Sequence, residues 1–292
     1  MRRSVVGPAV AACIAGCSLL ADTNGLTGGL RDGGAPGADA TADGFADVGT
    51  DAPIGDDASR SDAPGPTCPA NTKGPRMVAL AGYCIDSTEV TQAQYQDFIT
   101  AKGNDVSGQP VECSWNTTYA PNACNIDPIG RGTHPIVGVD WCDAVAYCKW
   151  AGKRLCGKIG GGGVSASGFV KATESQWYNA CSQGGRRRYP HGDTFDSTLC
   201  NTGAASRNDT VPVGSLPGCE GGFAGIFDMS GNGSEWEDAC TSSTGSPQND
   251  QCHMRGGDFT NTNPDNNTCT YDVTDPRSAR DCDTSFRCCL DL

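Results

Sequence analysis

The residues of this 292-residue chain best suited to chemistry are its 18 cysteines, because its three histidines, His134, His191 and His253, are scattered. A thiolate can act as a nucleophile, hold a soft metal, or be locked into a disulfide. Spacing decides among these. No closely spaced Cys or His ligands of the zinc type occur, which argues against a structural zinc site. Once Cys13 and Cys17 are set aside, 16 cysteines remain, an even number lying wholly after residue 66. Such density in an exported chain reads as a disulfide framework. Cys252, Cys282 and Cys289 stay open as reactive thiols, although the even total favours bridging. His134 and His191 adjoin Pro135 and Pro190 in loops, where the expected role is an ordering hydrogen bond rather than metal ligation.

The elements that must position these residues are short. Thr91 can cap a helix over Gln92–Ile99 that aligns Tyr95, Phe98 and Ile99. A second helix starts at Asp140-Trp141-Cys142-Asp143 and places Trp141, Val145 and Cys148 on one face. Thr173-Glu174-Ser175-Gln176 has capping-box spacing and opens a third, with Trp177, Ala180 and Cys181 facing inward. Gly160 to Gly163 do not form a phosphate loop, since no Gly-Lys-Ser/Thr ends the run and no helix follows it directly. The segment 157–171 around them is expected to be a flexible surface loop.

Met1-Arg2-Arg3, the uncharged stretch that follows and Ile14-Ala15-Gly16-Cys17 read as an export signal, too short for a membrane span. The last four residues resemble a bacterial lipobox, which makes Cys17 the expected lipidation site; Cys13 is a weaker second candidate. Residues 18–66 carry nine Asp against Arg31 and Arg60 and almost no large apolar residue. This composition cannot offset its ordering entropy, so an acidic disordered tether is expected between the signal, 1–17, and one folded domain, 67–292. The tether holds about half of the formal charge of −13, and no basic stripe appears elsewhere, which argues against nucleic-acid partners.

Within 67–292 a series of blocks occurs in order: Ile85-Asp86, Glu89-Val90-Thr91, His134-Pro135, Trp141 to Cys148, Ala151-Gly152-Lys153-Arg154-Leu155, Thr173 to Trp177, Gly222 to Glu237, Arg255-Gly256-Gly257 and Ser285-Phe286-Arg287-Cys288. Together they resemble the formylglycine-generating enzyme, or sulfatase-modifying factor, family. The resemblance implies a single α+β domain related to C-type lectins, with little regular secondary structure; the cysteine content makes it disulfide-rich.

It also implies a chemistry and a test of it. Enzymes of that family oxidise a substrate cysteine to formylglycine with two cysteines, five apart just after Arg-Gly-Gly, that bind copper(I) through soft sulfur. Here residues 258–268 contain no cysteine, so copper is not expected. By the same carry-over Cys148 pairs with Cys288 and Cys181 with Cys269. Asn201, Asn232 and Glu235 occupy places that bind calcium in the family, through oxygens suited to a hard cation. The resulting expectation is a lipid-anchored protein of the bacterial outer membrane whose domain binds a protein or saccharide and touches the membrane only through its anchor. The alternatives are an active oxidase with a rearranged site and a purely structural, disulfide-stapled surface protein. A groove lined by Trp115, Trp141 or Trp236 would favour binding over the structural role.

Overall fold

The computed structural model describes residues 67–242 and 245–292; the expected signal over 1–17, with Cys13 and Cys17, and the expected tether over 18–66 lie outside them. Two small sheets carry the domain. The first joins β1 (Met77–Leu80), β2 (Tyr83–Asp86), β8 (Cys288–Asp291) and β3 (Arg154–Leu155) in that order, all antiparallel. The second joins β6 (Asp272–Pro276), β5 (Gln251–Arg255), β4 (Ser234–Thr241) and β7 (Thr284–Phe286), with β4 and β7 parallel. Because β7 and β8 flank Arg287, one guanidinium sits at the seam between the sheets.

Three helices pack around this frame. Helix α1 (Gln92–Lys102) begins in a capping box in which Thr91 and Gln94 satisfy each other's backbone N–H groups. Helix α2 (Trp141–Trp150) repeats the device with Asp140 and Asp143. Tyr95, Phe98, Tyr147 and Phe286 stack between them, with ring centroids 5.4–6.4 Å apart. Helix α3 (Gln176–Cys181) is capped two residues later than the Thr173 spacing predicts: Ser175 Oγ accepts the Tyr178 N–H at 2.9 Å, and Ser175 also donates to buried Glu237.

All sixteen cysteines of the described residues are bridged. The pairs are Cys68–Cys84, Cys113–Cys142, Cys124–Cys282, Cys148–Cys288, Cys156–Cys289, Cys181–Cys269, Cys200–Cys219 and Cys240–Cys252. Adjacent Cys288 and Cys289 tie β8 to α2 and to the residue after β3, so one short strand anchors two elements.

The segment 157–171 is packed rather than a free surface loop. Val164 and Phe169 are buried with Ala239, and the Val164 N–H donates to Asp238 O at 2.7 Å. The physical reason is Phe169, whose ring covers the Arg255 guanidinium at 4.5 Å and lies against His253.

Candidate functional site

The loop after Arg255-Gly256-Gly257 is where a copper-binding thiol pair would sit. Asp258 turns this loop by accepting the Thr260 N–H at 2.6 Å and the Asn261 Nδ2 donor at 2.8 Å. Gly257, at φ +68°, lies so close to the chain returning from 266 that an added Cβ would stand 2.3 Å from Asn266 O. Farther along, Asn267 Nδ2 donates to Asn261 O and Asn263 O, and Cys269 closes the loop through its bridge to Cys181. The side chains here offer amide and carboxylate oxygens and no thiol. The adjoining cleft is walled by Tyr271, Val273 and Met254 and by Asp258, Asp275, Asp281 and Asp283. Burial first and then mutual repulsion raise the Asp283 and Asp275 carboxyls above their ordinary range, so this cleft favours cations.

Cys252, Cys282 and Cys289 lie in bridges to Cys240, Cys124 and Cys156, so none supplies a nucleophile. His134 Nδ1 lies 3.0 Å from Thr210 Oγ1 and 3.2 Å from an Arg131 nitrogen, a contact that ties two loops together. His191 stacks on Tyr189 at 5.6 Å, and burial holds its imidazole below the usual range.

The three oxygen donors expected for calcium divide into two groups. Asn201 and Asn232 meet across two loops: Asn201 Nδ2 donates to Asn232 Oδ1 at 3.1 Å, and the Asn232 N–H donates to Asn201 O at 2.8 Å. Asn232 sits at φ +63°, a turn conformation that asparagine tolerates. Asn201 Oδ1 is buried without a partner. Glu235, on β4, is engaged elsewhere. Its carboxylate receives two donors from Arg287 at 2.6 and 2.7 Å and the Trp177 Nε1–H at 2.9 Å.

Beside that ion pair lies a group the sequence reading missed. Glu89, between β2 and α1, is fully buried, and neither carboxylate oxygen has a hydrogen-bond partner. Burial, then Asp228 and Glu235, push its carboxyl well above the usual range, and Arg287 only partly opposes them. Asp228 is nearly as enclosed and sits at φ +61°; its Oδ2 accepts the Gly214 N–H at 2.6 Å. Burial raises its carboxyl to about 6. Glu89, Asp228 and Glu235 thus share one guanidinium. Such a deficit is relieved by protonation or by a cation. Among the described residues no three His, Cys, Asp or Glu side chains converge into a metal cage, so an ion here needs further oxygens from amides and backbone carbonyls. The sequence signal for this site was an acidic residue two positions ahead of the helix cap Thr91.

Trp115, Trp141 and Trp236 do not come together to wall a groove. Trp236 and Trp141 belong to the core, and their Nε1–H groups donate to Val139 O and Glu237 O, each at 3.0 Å. Trp115 Nε1 turns back to Glu112 O at 2.8 Å.

Comparison with known proteins bears on this arrangement. The family model of the sulfatase-modifying factor enzyme 1-like domain matches residues 41–292. Formylglycine-generating enzyme of Bos taurus is 25% identical over 205 residues, covering 55% of this chain and 50% of that enzyme. The mouse protein named inactive C-alpha-formylglycine-generating enzyme 2 is 26% identical over 257 residues, covering 74% of this chain and 71% of that protein. This chain spans about half to two-thirds of the length of the formylglycine-generating enzymes it matches. Among solved structures, PvdO from Pseudomonas aeruginosa superposes with a TM-score of 0.51 at 20% identity, over 72% of this chain and 80% of that one, a likeness of fold alone.

Proposed function

Because the chain belongs to the sulfatase-modifying factor enzyme 1-like domain family, we propose that it is a non-oxidising member, a disulfide-stapled domain that binds a ligand or partner. One observation carries this: the loop 258–268 holds no thiol, and each of the 16 described cysteines is spent in a bridge. Copper(I) needs soft thiolate ligands, and the amide and carboxylate oxygens in their place do not fit it. The likeness to a mouse relative named as inactive is in keeping with this reading.

A hard cation fits the remaining donors better. In this proposal calcium is held by Glu89 and Asp228 with loop oxygens, Glu89 supplying two unpartnered carboxylate oxygens. Bound there, the ion would neutralise buried carboxylates and pin loops that lack regular structure. The proposal also includes the finer features expected from the sequence and its resemblance: export, lipid attachment at Cys17, a spacer over 18–66, an outer-membrane location and a relation of the fold to C-type lectins.

Copper stoichiometry after reconstitution without reductant tests the reading. The expected result is no tightly bound copper. One tightly held ion per chain would oppose it.

A further inference from the structure

A second concavity lies on the outer face of α2, and nothing above gives it a role. Val145 and Lys149, and likewise Ala146 and Trp150, are one helical turn apart and therefore stand in parallel rows. Together with Tyr119 and Lys102, at the end of α1, they wall a cavity of about 180 Å³.

The walls are held from behind. Trp150 packs on Phe98 and Tyr147, each at 5.6 Å, and Lys73 Nζ lies 4.0 Å from its ring centre. Tyr119 rests on Phe98 at 5.0 Å, and the Cys113–Cys142 bridge ties the preceding segment to the start of α2. A preformed apolar cavity needs little ordering when a ligand enters. A cavity of about 150 Å³ admits benzene, so this cleft has room for a single ring.

Charge supplies the other half. No carboxylate lines the cavity, whereas two ammonium groups do. Lys149 Nζ donates to Gly108 O at 2.9 Å, leaving two of its three donors for a ligand. Lys102 is paired at 3.3 Å with Asp105, an exposed partner outside the lining and therefore weakly held. On a chain of formal charge −13, this is a local site for an anion.

We propose that the cleft binds a single-ring aromatic carboxylate, with the ring between Tyr119, Ala146 and Trp150 and the carboxylate on Lys149 and Lys102. This holds whether or not the domain oxidises thiols. Calorimetric titration of the full chain with phenylacetate, and with benzylamine as the cationic counterpart, tests it. Phenylacetate is expected to bind one per chain with a Kd of about 0.1–1 mM, the range for a ligand of its size. Benzylamine should bind at least tenfold more weakly. Lys149→Gln, a surface change, should weaken phenylacetate about tenfold through loss of a charge-assisted contact. Ala146→Trp, checked for folding by circular dichroism, should abolish binding by filling the cavity. No binding of phenylacetate, equal binding of benzylamine, or undiminished affinity in Lys149→Gln would each overturn the proposal, and so would full affinity in folded Ala146→Trp.

Discussion

Replacing Glu89 by Gln removes one charge from the buried set of Glu89, Asp228 and Glu235 while keeping the side chain's shape. In the cation-free protein an ionised Glu89 has no hydrogen bond to offset its burial, and an uncompensated buried charge costs about 3–5 kcal/mol. Burial raises the carboxyl well above its ordinary range, so part of that cost is avoided by protonation as pH falls. At pH 8, without divalent ions, Glu89→Gln should therefore be more stable than wild type by about 1–3 kcal/mol, the remainder being lost to an unsatisfied amide. Calcium should reverse the order. With calcium at a hundredfold excess over its Kd, linkage adds about 3 kcal/mol to the wild type, or about 5–10 °C in melting temperature for a domain of this size. The variant should show little of that gain. The assay is thermal unfolding by circular dichroism at pH 8, with chelator and with calcium. A wild-type melting temperature that does not move between the two, or a Glu89→Gln variant that keeps the whole calcium shift, would refute the reasoning.

Glu237 is fully buried, and burial raises its carboxyl from 4.5 to about 7 against the pull of Arg255 and Ser175. The folded state binds this proton more tightly than the unfolded chain, so stability is greatest below pH 4.5 and falls as pH rises through 7, by about 3 kcal/mol for this group. Urea midpoints of Glu237→Gln at pH 5 and 8 should differ less than those of wild type; an unchanged pH dependence counts against the assignment. Gly222 sits at φ +65° with a Cβ position only 1.6 Å from Ala180 O. Gly222→Ala should cost at least about 3 kcal/mol, and a variant within 1 kcal/mol of wild type would contradict that packing. Removing the Cys148–Cys288 bridge by a double Ser substitution opens a separation of 140 residues. The chain-entropy model puts the loss near 5 kcal/mol, and a domain losing under 1 kcal/mol would show that other contacts hold β8.

How much was legible in the sequence follows from how locally each feature is specified. The cap at Thr91 and the start of α2 at Asp140 could be read directly because cap and partner lie three residues apart. The cap of α3 stands at Ser175, which also donates to Glu237, 62 residues distant. Segment 157–171 looked like surface because its glycines outnumber its apolar residues; only the tertiary position of Arg255 shows why Phe169 is buried. Trp141 and Trp236 carry both apolar area and a donor, a combination equally suited to a groove or to a core with a carbonyl in reach. Carbonyls of Glu237 and Val139 put them in the core. Glu89 was missed for a similar reason. That a buried carboxylate lacks a partner is a property of everything packed around it, and no spacing rule reports it.

The most direct test of the central claim is to incubate the purified chain with copper, oxygen, reductant and a cysteine-containing sulfatase peptide, and to follow aldehyde by mass spectrometry after hydrazine trapping. With every described cysteine bridged and no thiol in residues 258–268, the account predicts no aldehyde above the level of a copper-only control. Catalytic turnover of the peptide to formylglycine would contradict it.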